Sequence, residues 1–290
     1  MKSTVVVGYD QTPHSERALI LAAREAAWRG ASLTVVHAFD WIPPTTPMTY
    51  IPGSVELAIQ QTAEKIAEHG AAAARSLFPG MHVEAKTGPG GAAEALATAA
   101  RGADLLVVGN RGRGGFAGLL LGSVSMRALT ASCVPTMVVR GPHRDPHDAV
   151  LVAVDLDDPA DDLLDFAFNE AARRGARLEA VTVWDMSWVT EYADEAAEIQ
   201  SAAAQARVDL DAALEAVVHT WHGKYSDVRV SHRVAEGNPA AELIAATSHA
   251  DLIVAGARRH GDGRHGMRIG PVAHALVQHA DCPVVIVPRD

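Results

Sequence analysis

The chain has 290 residues, is 48% hydrophobic and carries a formal net charge of −10 at pH 7. That is length for two ordinary domains, too apolar for global disorder and too acidic for a polyanion binder held by bulk charge, so no nucleic-acid partner is expected. The two cysteines, Cys133 and Cys282, are too few for a disulfide framework and lack metal-type spacing; no run nears a membrane span and MKSTVVVGYD holds no long apolar leader, so a cytoplasmic protein without membrane contact is expected.

In chain order, Thr4–Gly8 is a continuous β-branched run fit for a strand buried on both faces. Ser15–Arg29 follows as a helix, with Leu19, Ala22, Ala23 and Ala26 on one face. Leu33–Ala38 reads as the next strand. The Pro-rich loop WIPPTTPMTYIPG, Trp41–Gly53, precedes a helix near Val55–Leu77. His82–Lys86, Asp104–Gly109 and Thr136–Arg140 read as further strands. Helices fall at Ala92–Arg101 and near Val124–Ala131. RGPHRDPHD, Arg140–Asp148, is polar, holds two prolines and reads as a short linker.

Beyond the linker the chain is written a second time. VVVGYD ending at Asp10 falls on VLVAVD ending at Asp155, and EAAWRGASLTVVHAFD falls on EAARRGARLEAVTVWD, so that Asp40 matches Asp185. Asp104 then pairs with Asp251, Gly109 with Gly256, Gly122 with Gly270 and Pro135 with Pro283. The matches keep one order along the whole chain, which sets them apart from chance likeness among alanine-rich helices. Strands alternating with helices imply right-handed crossovers. Each half is therefore expected to be a doubly wound α/β domain with a five-stranded, mainly parallel sheet and helices on both faces. The boundaries expected are residues 1–142 and 148–290. Ligands in such folds sit outside the carboxyl ends of the strands.

The fourth strand of the first half ends where GNRGRGGFAGLLLGSVS begins, Gly109–Ser125. Backbone N–H groups in a glycine-rich turn that feeds a helix N-terminus form an anion site. Glycine lets the main chain approach a ligand closely, Ser123 can cap the next helix or bond a phosphate oxygen, and Arg111 and Arg113 add charge. Gly112–Ala117 satisfies G-x-G-x-x-A, but it follows the fourth strand and no acid stands about 20 residues on, so it is not a dinucleotide fingerprint. A P-loop needs a lysine that the stretch lacks.

The spacing Gly109, two residues, Gly112, nine residues, Gly122-Ser123 resembles the G-2x-G-9x-G-[S/T] motif of the ATP-binding branch of the universal stress protein family. The opening strand with Asp10 and TPHSERAL, the RGASLTVVHAF segment and the ADLLVVGNRGRGGF block resemble it too, and each half looks like one domain of a tandem member. The resemblance implies ATP, accompanied by Mg, as the ligand. It implies Asp10 at the adenine–ribose end, the Ala38 backbone at adenine and Gly109 by the ribose and phosphates. Gly112, Gly122 and Ser123 would wrap the phosphates, the Val124 N–H would stand at the helix start, and Arg111 and Arg113 would lie nearby. It also implies pairing of the last strands of the two halves, Thr136–Arg140 and Val284–Val287, further assembly into a homodimer, and a regulatory protein partner of unknown identity.

The second half departs from this pattern. Asp155, Val183, Gly256 and Gly270 match Asp10, Ala38, Gly109 and Gly122, but Arg259 replaces Gly112 and Pro271 replaces Ser123. Proline supplies neither N–H nor hydroxyl, so weakened or lost ATP binding is expected there; the loop with Arg258, Arg259, His260, Arg264, His265 and Arg268 leaves another phosphorylated ligand open. His274 and His279 stand five apart, off a common helix face, so no metal site is expected. No Asp or Glu lies within Gly109–Ser125, and phosphoryl transfer needs metal-positioning carboxylates. The expected function is an ATP-dependent regulator in stress or slowed growth, with no catalytic residue and at most slow hydrolysis. The alternatives are a slow ATPase or phosphoryl or nucleotidyl transferase, and a scaffold stabilised by ATP that reads a partner through Trp41–Gly53 and its Trp188-containing counterpart.

Overall fold

The computed structural model describes residues 3–39, 53–112, 120–142, 145–186, 197–260 and 265–289. The chain divides into two compact units, Met1–Arg140 with Arg259–Arg268, and Gly141–Arg258 with Ile269–Arg289.

In the first unit the strands are β1 (Thr4–Gly8), β2 (Ser32–Phe39), β3 (Val83–Pro89), β4 (Leu105–Gly109) and β5 (Thr136–Val139). They hydrogen-bond in the order β3-β2-β1-β4-β5, every pair parallel. Val5–Val7, Leu105–Val108 and Met137–Val139 are buried throughout, as a sheet covered on both faces requires. Each such Val or Leu side chain contributes about 1.5–3 kcal/mol by leaving water. The helices are α1 (Pro13–Arg29), α2 (Gly53–Leu77), α3 (Ala92–Ala99) and α4 (Ser123–Ala131). From β1 the chain moves outward to β2 and β3, then returns to the other side of β1 with β4 and β5, so the order reverses between β1 and β4.

Helix α1 starts two residues before the Ser15 expected from the apolar face. Thr12 caps it, accepting from the Ser15 N–H at 3.2 Å, and Pro13 takes a first-turn position where its missing N–H costs nothing. Gly30 closes it at φ 58°, a left-handed conformation that glycine adopts freely. Glu25 and Arg29 form a buried ion pair inside it.

The second unit repeats the plan with β6 (Ala149–Ala153), α5 (Asp161–Arg174), β7 (Arg177–Trp184), α6 (Ala197–His222), β8 (Val230–Glu236), α7 (Pro239–Ala246), β9 (Leu252–Arg259), α8 (Pro271–His279) and β11 (Val284–Arg289). A two-residue strand, β10 (Met267–Arg268), falls in the segment counted with the first unit. The sheet runs β11-β9-β6-β7-β8, again parallel. Its buried Glu170–Arg174 pair repeats Glu25–Arg29. Phe168, Trp221 and Tyr225 stack in the same unit, with ring centroids 5.4–6.5 Å apart.

Candidate functional site

The switch point between β1 and β4 of the first unit gathers most of the expected residues. Asp10 lies just past β1, in the turn before α1. Its Oδ1 accepts from the Thr12 hydroxyl at 2.6 Å and the Thr12 N–H at 3.1 Å, while its own N–H donates to the Ser15 hydroxyl at 3.2 Å. Gln11 takes φ 64° to close this turn. The other carboxylate oxygen faces Gly112: a Cβ there would stand 2.9 Å from Asp10 Oδ2. A larger residue at 112 would have to push that carboxylate oxygen aside.

Gly109 ends β4 against the start of α1. A Cβ at that position would meet the His14 carbonyl oxygen at 2.8 Å, so only glycine lets the two elements close up. The Ser125 hydroxyl donates to the Gly109 carbonyl at 2.6 Å, and the Gly122 N–H donates to the Asn110 carbonyl at 2.7 Å. These two bonds bring the first turn of α4 up to the end of β4. The cap of α4 is Gly122, with no side-chain hydrogen bond, rather than Ser123. Ser123 is the first helical residue, and Ser123 and Val124 are exposed. The N-terminal N–H groups of α4 therefore rely on something other than a capping side chain.

Three buried polar atoms in this turn region, His14 Nδ1, Asn110 Oδ1 and Arg111 Nε, have no hydrogen-bond partner among the described residues. Buried polar groups are nearly always paired, so these three atoms are open to a partner beyond the described residues. Ala38 stands half-buried at the end of β2, opposite Gly88. The buried His37 before it donates from Nδ1 to the Tyr9 carbonyl at 2.7 Å and so fixes the exit of β1. Tyr9 itself is buried; burial, then the Glu16 carboxylate that it meets at 3.2 Å, push its hydroxyl up to about 12. Arg113, like Trp41–Pro52, Trp188 and Arg264, lies outside the described residues. Sequence spacing did not single out Thr12, His14, His37, Asn110 or Ser125; Thr12 and Ser15 form a legible capping signal, whereas the others act only through the fold.

In the second unit Asp155 lies after β6 and Gly256 within β9, as the repeat implies. Val183 lies within β7, and Gly270 caps α8 with Pro271 as its first residue. Arg259 is counted with the first unit, where its Nη1 donates to the Cys133 carbonyl at 3.2 Å. Gly256 is covered by the Arg289 side chain, whose Cδ would stand 3.0 Å from a Cβ there. Among the described residues no group of three or more His, Cys, Asp or Glu is placed to hold a metal ion, and no helix is long and apolar enough to cross a membrane.

Each unit is thus a doubly wound parallel α/β fold, and the first places its glycine turn and acid at the switch point. The family model described as the universal stress protein family matches residues 1–140 and again 147–288. A universal stress protein of Mycolicibacterium smegmatis is 30% identical, with 98% of this chain and 96% of that protein covered. One from Mycobacterium tuberculosis is 32% identical, covering 97% and 95%. The crystal structure of a universal stress protein from Archaeoglobus fulgidus shares the fold at TM-score 0.68 and 19% identity, over 99% of this chain and 98% of that one. The chain belongs to the universal stress protein family, as a tandem of two such domains.

Proposed function

We propose that the first unit binds ATP and that the chain is a nucleotide-dependent regulator, active in stress or slowed growth, rather than a fast catalyst. The observation that carries this reading is the convergence at one switch point of Asp10, the Gly109–Gly112 turn and a helix mouth without a side-chain cap, beside three buried polar atoms with no partner among the described residues. Asp10 is an acceptor when ionised and suits the amino and hydroxyl donors of the adenosine end. The N–H groups at Gly112, Ser123 and Val124, with the charge of Arg111 and Arg113, suit the phosphates. Ala38 would offer backbone groups to adenine. Mg²⁺ would accompany the phosphates. Arg111 Nε and Asn110 Oδ1 supply one donor and one acceptor for a ligand that carries both.

Regulation rather than rapid hydrolysis is supported by the absence of Asp and Glu from Gly109–Ser125 and by the tie of Asp10 to Thr12. ATP occupancy would act by mass action on the state it prefers, including a homodimer that presents the regulatory surface. The deciding experiment is the nucleotide content of the purified, denatured chain, run beside Gly122→Ala/Ser123→Ala. About one ATP per chain, diminished in the variant, is the expected outcome. A chain free of nucleotide that also fails to bind ATP on titration overturns the reading; ADP in its place would favour hydrolysis.

A further inference from the structure

The two units differ at one place that the repeat alone does not reveal. Both first helices end at matched positions, Arg29 and Arg174, yet α1 has 17 residues and α5 has 14. The missing turn is the one that, in the first unit, sets the His14 carbonyl against Gly109. In the second unit the matched glycine, Gly256, meets the Arg289 side chain instead, with its Cδ at 3.0 Å and Nε at 3.2 Å from the Cβ position. Arg289 Nη1 donates to the Asp158 carbonyl at 2.7 Å and pairs with Asp158 Oδ2 at 2.9 Å, and Nη2 pairs with Asp155 Oδ2 at 3.5 Å. The Arg289 side chain is only 13% exposed. Arg258 closes on the same Asp158 carboxylate, at 2.9 Å. In the first repeat, the spacing that matches Pro135 to Pro283 puts Gly141, which has no side chain, at the position of Arg289.

We infer that Arg289 is the internal occupant of the second unit's ligand site, closing it to nucleotide. Asp155 and Gly256 are two of the residues that this repeat retains from the ligand pattern, and one side chain engages both. A nucleotide donor directed at Asp155 has to displace a guanidinium held by Asp155, by Asp158 and by a backbone carbonyl, a multidentate arrangement that lysine does not reproduce. The second unit is therefore shut by its own chain, not merely stripped of Ser123 and Gly112 equivalents.

The inference takes from the proposed reading only its probe, ATP. The test is made in the full chain carrying Gly112→Val, which weakens the first site, and because both chains share that background the difference between them reports the second unit. Isothermal titration with ATP compares this background with the same chain carrying Arg289→Gly. The expected result is affinity at least about tenfold tighter once Arg289 is removed. Asp158→Asn, which weakens the same lock from the other side, is expected to act in the same direction and serves where Arg289→Gly does not fold. Unchanged affinity in the folded variants overturns the inference. A wild-type chain that binds no ATP would overturn the proposed function of the first unit and leave this comparison standing.

Discussion

Gly112 and Asp10 show how a single atom decides a site. A valine at residue 112 drives its Cβ onto the Asp10 carboxylate, which has to leave its place beside the turn. Gly112→Val is expected to weaken ATP binding at least about tenfold, or about 1.4 kcal/mol, by titration. Gly112 is exposed, so the thermal midpoint should move by only about 2 °C. Burial sets the opposite balance at Arg29, whose head group meets the fully buried Glu25. Arg29→Ala leaves that carboxylate without its ion-pair partner, and a loss of about 3–5 kcal/mol is expected by denaturant unfolding. Tyr9 gives a pH signature. Its folded value of about 12 lies above the ordinary tyrosine value of 10.0, so its contribution is complete below pH 10 and is lost as pH rises through 12, because the unfolded chain ionises first. Unfolding measured from pH 9 to 12 should show this slope, and Tyr9→Phe should remove it.

Helix ends carry the next scale. Thr12 caps α1 and also holds Asp10, so Thr12→Ala should cost about 1 kcal/mol of stability and weaken ATP binding together, read by thermal unfolding and titration. At the matched end of the second unit Ala160 makes no side-chain cap, although Asp161 and Asp162 already complement the helix dipole. Ala160→Ser is expected to add about 0.5–1 kcal/mol, measured by the same unfolding. Most elements were legible from periodicity: β1 and the end of α1 coincide with the β-branched run and the apolar face. The start of α1 was missed because an apolar face locates a helix interior, while its first turn is set by Thr12 and Pro13. Ser123 was read as a candidate cap for the same reason; the backbone at Gly122 takes that position, and Ser125 turns inward to Gly109.

For the whole molecule the testable quantity is stoichiometry. Two domains of one family would admit two nucleotides, whereas the Arg289 contacts and the Pro271 helix start predict one. Native mass spectrometry of the ATP-saturated chain should show a single bound nucleotide per chain, and a second at comparable affinity would contradict the closure. The glycine spacing of the candidate site was readable because it is local, a matter of counting from Gly109 to Gly122. The supporting residues were not, since His14, His37 and Asn110 carry no spacing signal and gain their meaning only where β1, β2 and β4 end side by side.

The sequence by itself determined that the chain is one α/β plan written twice, that the strands are buried on both faces, and that the first copy keeps a glycine-serine motif which the second has lost. These properties rest on periodicity, composition and short-range spacing, which the linear order preserves. The tertiary structure alone decided that Glu25 and Glu170 are buried with their arginines, that Gly112 yields to Asp10, and that Arg289 takes the space of a missing helical turn over Gly256. Asp155 meets Arg289 across more than a hundred residues of chain, and no local pattern encodes which side chain will arrive there.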